Sequence, residues 1–203
     1  MKFNLEEFDC STGKTNIICI HKDIVIRTSK ESDKNFVDKL QKENSFAVGF
    51  IQKSIWEKYV YGGERNFIVF IGEVNNDMVG YALITPGKKS GSYAKIQQIA
   101  VRQDARRLEY GTAIIEAVKK FCNRFGRIGV SLRCRKDLES NAFWKALGFE
   151  LYGIWEKGKY NHVGFKASND ILLWKINLSE TIQHLPFIFT KIEYPEEIIE
   201  RLY

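Results

Sequence analysis

Arginines at positions 102, 106 and 107 precede a single glycine, Gly111, in the stretch AVRQDARRLEYGTAII that runs from Ala100 to Ile115. An apolar run leads into the arginines and an alanine- and isoleucine-rich run follows the glycine, the pattern of a strand that turns into a helix. The first backbone N–H groups of a helix have no partner within it, and the helix dipole adds to their attraction for anions. Guanidinium groups at the same turn supply charge-assisted donors, whose geometry suits a pyrophosphate better than a carboxylate-sized ion. The chemistry expected at this turn is capture of a phosphate-rich ligand. Any strand-to-helix turn on a basic surface shares these traits, so the meaning of this one depends on the elements that hold it.

Those elements alternate in type. Asn16 to Arg27 reads as one or two strands rich in β-branched residues. Ser29 to Asn44 reads as a helix with Phe36, Val37 and Leu40 on one side and Ser29 or Ser32 as its cap. Ile51 to Tyr61 is expected to form a second amphipathic helix stopped by Gly62-Gly63. The runs NFIVFIGEV and DMVGYALIT, joined by Asn75-Asn76-Asp77, predict a hairpin. Tyr93 to Val101 is a further strand, and Tyr110 to Phe125 a helix with Ala113, Ile114, Ala117, Val118 and Phe121 at helical spacing. Arg127 to Arg133 reads as a buried strand, Leu138 to Leu147 as a helix, and Phe149 to Trp155 and Ile171 to Leu178 as closing strands. The expected fold class is α/β, a mixed and mostly antiparallel central sheet with helices on both faces.

In that setting the turn resembles the acyl-CoA-binding motif of the Gcn5-related N-acetyltransferases, the GNAT family. That motif has a strand ending in V-x-P, then Arg or Gln, two residues, Gly, one residue, and Gly or Ala. Arg106 matches its lead position and Gly111 its closing glycine, with Ala113 and Ile114 continuing as helix. Downstream, NAFWKALGFELYG resembles the family's second motif through Asn141, Ala142, Phe143, Gly148 and Phe149. The resemblance covers roughly residues 24–178 and implies a GNAT-like acyl-CoA N-acyltransferase fold with acetyl-CoA as co-substrate. It further implies that Arg106, Arg107, Leu108, Glu109, Tyr110, Gly111 and Thr112 hold the pyrophosphate, that Asn141 and Trp144 line the cofactor, and that the thioester lies near the backbone of Ile99 to Val101. A strand N–H there could stabilise the oxyanion formed as an amine attacks the thioester directly.

Two departures from the motif bear on the chemistry. Glu109 stands where the family has its first loop glycine, and Gln103 replaces the common proline. A glutamate in a left-handed turn costs roughly 1–2 kcal/mol, so Glu109 is expected in ordinary helical geometry with its side chain turned outward to Arg106 or Arg107. Trp144 stands where many relatives carry a tyrosine thought to protonate the departing thiolate, and packing against the pantetheine arm or the core is its expected role. A lysine-like acceptor with a pKa near 10.4 must also lose a proton. Asp137 is the carboxylate placed nearest the inferred thioester and the candidate base, with a helix cap as the competing role. Lys95 occupies a strand position where some relatives place a glutamate. Cys134, with no histidine partner, is expected to be a small buried core residue.

The acceptor is expected to be a small-molecule or protein amine walled by residues 46–65 and 157–169, which include Trp56, Tyr59, Tyr61, Arg65, Lys157, Lys159, Tyr160, His162 and Lys166. The competing readings are an acyl-CoA-binding protein without catalysis and a nucleic-acid-binding or nucleic-acid-modifying protein on the same fold. The second draws on the formal net charge of +6 and on those interleaved basic and aromatic residues. The four cysteines form no CxxC pair and no metal spacing with the three histidines, so no metal is expected and the thiols suit a reducing, cytoplasmic setting. Gly13-Lys14-Thr15 is not a phosphate loop, because Phe8 stands where that motif needs its first glycine. No apolar h-region opens the chain, and no apolar run is long enough to span a bilayer. Residues 1–178 are expected to form the acetyltransferase domain with an N-terminal strand extension. The segment 179–203, dense in Leu185, Phe187, Ile188, Phe189, Ile192 and Tyr194, is expected to dock on that domain or on a second subunit, leaving a monomer or homodimer.

Overall fold

The computed structural model describes residues 17–21, 23–56, 67–87, 91–160 and 166–178. The N-terminal segment before Ile17, residues 57–66 and 161–165, and the segment 179–203 lie outside these described residues, and with them Tyr59, Tyr61, Arg65, His162 and the C-terminal extension. The chain divides into two compact units, one of residues 1–85 and 98–121 and the other of residues 86–97 and 122–203.

The first unit contains β1 (Ile17–His21), β2 (Ile24–Thr28), β3 (Ile68–Val74), β4 (Asp77–Thr85) and the last four residues of β5 (Tyr93–Val101), adjacent in that order. Pairs β1–β2, β2–β3 and β3–β4 are antiparallel. The expected hairpin is present: Asn75 and Asn76 sit at φ 50° and 65°, and two consecutive left-handed residues are what a two-residue turn of matching twist requires. Ile24, Ile26, Phe70, Ile71, Leu83, Ile84, Ile114 and Ile115 are fully buried in this unit. The long helix α4 (Tyr110–Arg124) is seated by glycines that face each other across β3 and β4, Gly72 opposite Gly80. A Cβ on Gly80 would come within 2.8 Å of the Ala100 carbonyl oxygen and 3.2 Å of Ile114 Cδ1. Close approach of α4 to the sheet therefore requires glycine there, and that approach fixes where the first turn of α4 opens.

Helix α1 (Lys34–Glu43) follows a short 3-10 turn at Glu31–Asp33. Of the helix expected from Ile51 to Tyr61, the described residues contain α3 (Lys53–Trp56), and a further short helix, α2 (Ser45–Val48), precedes it where none was expected. Between them Gly49 adopts φ 75° and ψ −176°, a region of backbone space that is essentially glycine-only.

The second unit contains Tyr93–Gln97 of β5, then β6 (Gly129–Arg135), β8 (Ile171–Asn177) and β7 (Glu150–Trp155), adjacent in that order. Strands β5 and β6 run parallel, with Tyr93 opposite Gly129 and Ile96 opposite Leu132, while β6–β8 and β8–β7 are antiparallel. The short α5 (Ser140–Ala146) buries Trp144, and Val130, Leu132, Cys134, Phe149 and Trp174 are buried in the same unit. Both the strand expected from Arg127 and the helix expected from Leu138 start two residues later than the sequence pattern implies.

Candidate active site

The turn between β5 and α4 lies wholly in the first unit. Arg106 is extended at φ −74° and ψ 157°, and Arg107 and Glu109 are left-handed at φ 62° and 64°. The expectation that Glu109 keeps ordinary helical geometry is therefore corrected. Left-handed residues in a turn help to gather successive N–H groups on one side, and the loop takes that conformation whichever side chain occupies it. The first bond of α4 runs from Ala113 N–H to the Glu109 carbonyl at 3.0 Å. The amides of Arg107, Leu108, Tyr110, Gly111 and Thr112 donate to no backbone carbonyl among the described residues. They head a helix of 15 residues, so the partial positive charge of its first turn adds to theirs.

The three arginines divide their work. Arg102 is committed to Asp77 at 2.7 Å and to Asp104 at 2.9 Å, bonds that hold its pKa above its ordinary value, Asp104 contributing first. Arg106 donates through Nε to the Val101 carbonyl at 3.2 Å and through Nη2 to Asn44 Oδ1 at 2.6 Å. It thus latches the turn to the end of β5 and to the residue that caps α1. Arg107 is exposed and has no ion pair among the described residues, so it is the arginine best placed to reach an anion outside the protein. Tyr110 is anchored by its hydroxyl to Asp23 Oδ2 at 2.8 Å. Ile99 and Val101 are half-buried on β5.

Asp137, Asn141 and Trp144 belong to the second unit. Asp137 is exposed and is gripped by Arg135, whose Nε and Nη2 donate to it at 3.1 and 2.5 Å. That hydrogen bonding holds its carboxyl below the usual range, the wrong direction for accepting a proton from an ammonium group. It caps no helix either, since Glu139 occupies the N-cap position of α5. The amide of Asn141 is used up within the unit: Nδ2 donates to the carbonyls of Arg135, Lys136 and Leu138 at 2.8, 3.2 and 2.8 Å, and Oδ1 accepts from Trp174 Nε1 at 3.0 Å. It acts as a strut between β6, α5 and β8. Trp144 packs edge-to-face on Phe143 and Phe149 at 5.0 and 5.3 Å, a core position. Burial pushes the thiol of Cys134 up, and that of Cys122 up to about 12; both cysteines are free and buried.

Lys95 has a character that its position in the sequence did not suggest. Burial, and then the charge of Arg133, push its pKa well below the ordinary 10.5. The unfolded chain therefore binds this proton more strongly than the folded one, and stability rises with pH from the lowered folded pKa up to the ordinary value. Lys95→Met is expected to be more stable than the wild type near neutrality, with the advantage shrinking towards about pH 10. Urea midpoints at the two pH values check it, and an advantage that grows with pH would overturn the assignment.

A polar cluster that the sequence reading overlooked lies buried in the first unit. The Gln41 side chain pairs with both backbone groups of Ile51, Nε2 donating to its carbonyl at 3.1 Å and Oε1 accepting from its N–H at 2.9 Å. Gln98, on β5 one residue before Ile99, donates through Nε2 to Gln41 Oε1 at 3.0 Å and to the carbonyls of Val48 and Gly49 at 3.2 and 3.3 Å. Its Oε1 accepts from the Tyr81 hydroxyl at 3.0 Å. Burial pushes the Tyr81 pKa far above its ordinary value, which keeps this phenol neutral and unsuited to proton transfer. Trp56 packs against Tyr81 at 6.5 Å and is buried, so it offers no open platform for stacking a base. Tyr160, with Lys166 over its ring at 5.9 Å, is exposed.

The sequence matches the family described as "Acetyltransferase (GNAT) family" over residues 33–149, more than half of the chain. The chain belongs to this family. The match runs from the start of α1 through the turn to Phe149, so it includes the resembling motifs on which the expectation rested. No curated protein matches the sequence. Solved structures share the fold at low identity. The ribosomal-protein-S18-alanine N-acetyltransferase of Escherichia coli is 18% identical with a TM-score of 0.58, covering 81% of this chain and 99% of its own. Ard1 from Thermoplasma volcanium is 21% identical with a TM-score of 0.62, covering 78% and 100%. The spermidine N-acetyltransferase of Vibrio cholerae, solved with CoA and spermine, is 11% identical with a TM-score of 0.62, covering 77% and 96%. The α/β fold class read from the order of elements is that of these proteins. Among the described residues no helix is long and apolar enough to cross a membrane, and no group of residues could hold a metal ion.

Proposed function

We propose that this GNAT protein is an acetyl-CoA-dependent N-acetyltransferase that moves an acetyl group to a primary amine. One observation carries the reading: five amides at the head of α4 have no backbone partner among the described residues, in a loop left-handed at Arg107 and Glu109. Such an array fits the oxygens of a pyrophosphate. Arg107 adds an exposed cation, and Arg106 keeps the loop in shape rather than touching the ligand. When bound, acetyl-CoA supplies a thioester whose carbonyl carbon an amine can attack. The chain's part is to hold the pyrophosphate at residues 107–112 and to polarise the thioester through the backbone of Ile99 to Val101. Fold relatives include one that acetylates a protein α-amine and one solved with a polyamine, so both acceptor classes are compatible with the architecture.

Proton removal from the acceptor is assigned to water rather than to Asp137, since its ion pair with Arg135 keeps that carboxylate a weak base. That same pair, with Trp144 sunk in the core, favours as the second reading an acyl-CoA-binding protein without turnover. The test is titration calorimetry with acetyl-CoA, followed by mass-spectrometric assay of acetyl transfer to a panel of peptides with free α-amines and of polyamines. Binding with transfer to one class is expected. Binding without transfer to any would establish the second reading, and no binding would overturn both.

A further inference from the structure

One face of the second unit's sheet gathers cations from three adjacent strands. Lys95 on β5 stands opposite Ser131 on β6, and Ser131 stands opposite Lys175 on β8, so two lysines flank one serine in a single row. Side chains two residues apart along a strand share a face, which places Arg133 in the next row, opposite Leu173. The charge of Arg133 is felt at Lys95, as that placement requires. Aromatic rings of β7 steer two of these cations. Arg133 Cζ lies 5.4 Å from the centre of the Trp155 ring, and Trp155 is itself fixed by its Nε1–H, which donates to the Lys159 carbonyl at 3.0 Å. The register between β7 and β8 shifts at Tyr152, whose ring meets Lys175 Nζ at 5.6 Å. A ring orients a cation through its quadrupole without cancelling the charge. Lys95, Arg133 and Lys175 are all half-buried, so their combined field is screened less than that of exposed groups. Among the residues of these rows the one carboxylate is Glu150, exposed and opposite Lys175.

We propose that this face binds an acidic segment of a partner protein in extended form, with carboxylates at alternate residues. Spacing selects that ligand. Alternate side chains of an extended chain lie on one side, about 6.8 Å apart, and the rows along β6 repeat at the same interval. One carboxylate therefore reaches the gap over Ser131 between Lys95 and Lys175, while the next reaches Arg133. The guanidinium held by Trp155 offers paired N–H groups that match a carboxylate, and the lysines add ammonium donors. Nucleic acid is the poorer fit, because its bases need open aromatic faces and both rings here already carry a cation. The inference stands on the second unit alone and does not rest on the proposed acetyl transfer.

Fluorescence anisotropy with the full chain tests it. The probes are fluorescein-labelled hexapeptides with acetylated N-termini, which leave no amine to modify: alternating Ser-Glu, the same composition in blocks as Glu-Glu-Glu-Ser-Ser-Ser, and alternating Ser-Gln. The alternating glutamate peptide is expected to bind about fivefold tighter than the block peptide and at least about tenfold tighter than the glutamine peptide. Arg133→Gln and Lys175→Gln are each expected to weaken its binding about tenfold, the contribution of a hydrogen bond to a charged group. Lys95→Met separates lost recognition from mere damage, since it should weaken the peptide by a similar factor while making the protein more stable near neutral pH. Should Arg133→Gln fail to fold, Lys175→Gln and Lys95→Met decide. Equal affinity for the glutamate and glutamine peptides, equal affinity for the alternating and block peptides, or full affinity in folded Lys175→Gln and Lys95→Met overturns the proposal. Tighter binding of a single-stranded oligothymidylate than of the alternating peptide, lost in the same variants, overturns it in favour of nucleic acid.

Discussion

Replacing Arg27 with alanine is expected to lower stability by about 3–5 kcal/mol, the cost of leaving buried charge without its partner. Arg27 on β2 is 5% exposed and Asp33, at the head of α1, is 2% exposed. The guanidinium donates to Asp33 at 2.6 and 3.0 Å and also to Glu73 on β3. Burial by itself would lower the Arg27 pKa, but the bonds to Asp33 and Glu73 outweigh it and raise it beyond any working pH. The arginine is thus charged in both the folded and the unfolded chain. Urea denaturation checks the magnitude. A second variant separates charge from packing: with Arg27→Met, Asp33→Leu and Glu73→Leu together, most of the stability should return, because a well-packed apolar triad often equals a buried ionic one. A loss below about 1 kcal/mol for Arg27→Ala would show that water reaches the pair. The consequence reaches function, since α1 carries Gln41 of the buried polar cluster and leads to Asn44, the residue that Arg106 grips.

The order of strands and helices was legible because side-chain periodicity reports what each segment buries. Asn75-Asn76 announced its turn because asparagine tolerates the left-handed backbone. Glu109 was misread for the converse reason: propensity argued against φ 64° at a glutamate, yet the loop's curvature overrode it, as tertiary context does with local preference. Gly49 lies between the helices expected to end at Asn44 and to begin at Ile51, and its φ of 75° leaves no mark in the pattern of side chains around it. The arginines at the turn could be counted from the sequence but not sorted, because which of them is engaged depends on the Asp77 carboxylate and the Asn44 amide oxygen, far away in the chain. Gln41 and Gln98 are likewise 57 residues apart, and a buried glutamine on a strand or helix looks from sequence like an ordinary polar position. The four hydrogen bonds of Asn141, which tie α5 to β6 and β8, were not legible either, because their partners are set by the packing of those elements.

Gly111→Asp is expected to weaken binding of CoA about a hundredfold, roughly 2.7 kcal/mol, while leaving the fold as stable as before or slightly more so. The two effects have opposite signs for one reason. A carboxylate in the first turn of α4 meets the same partial positive charge that attracts a pyrophosphate, so it helps the helix by about 0.3–1 kcal/mol and competes with the ligand. Mere damage would instead lower stability and affinity together, which makes the pair of measurements decisive. Glu109→Gly tests the turn from the other side. Relief of roughly 1–2 kcal/mol of left-handed strain is offset by the 0.5–1 kcal/mol that glycine loses in chain entropy, so stability should rise by no more than about 1 kcal/mol. Since the backbone already holds the left-handed form, with φ 64°, the amides need no rearrangement, and CoA affinity should change by less than about tenfold. A much larger gain in Glu109→Gly would mean that the carboxylate stands against the ligand in the wild type and would favour the reading without turnover. Unchanged CoA affinity in a folded Gly111→Asp protein would remove the head of α4 from the binding site altogether.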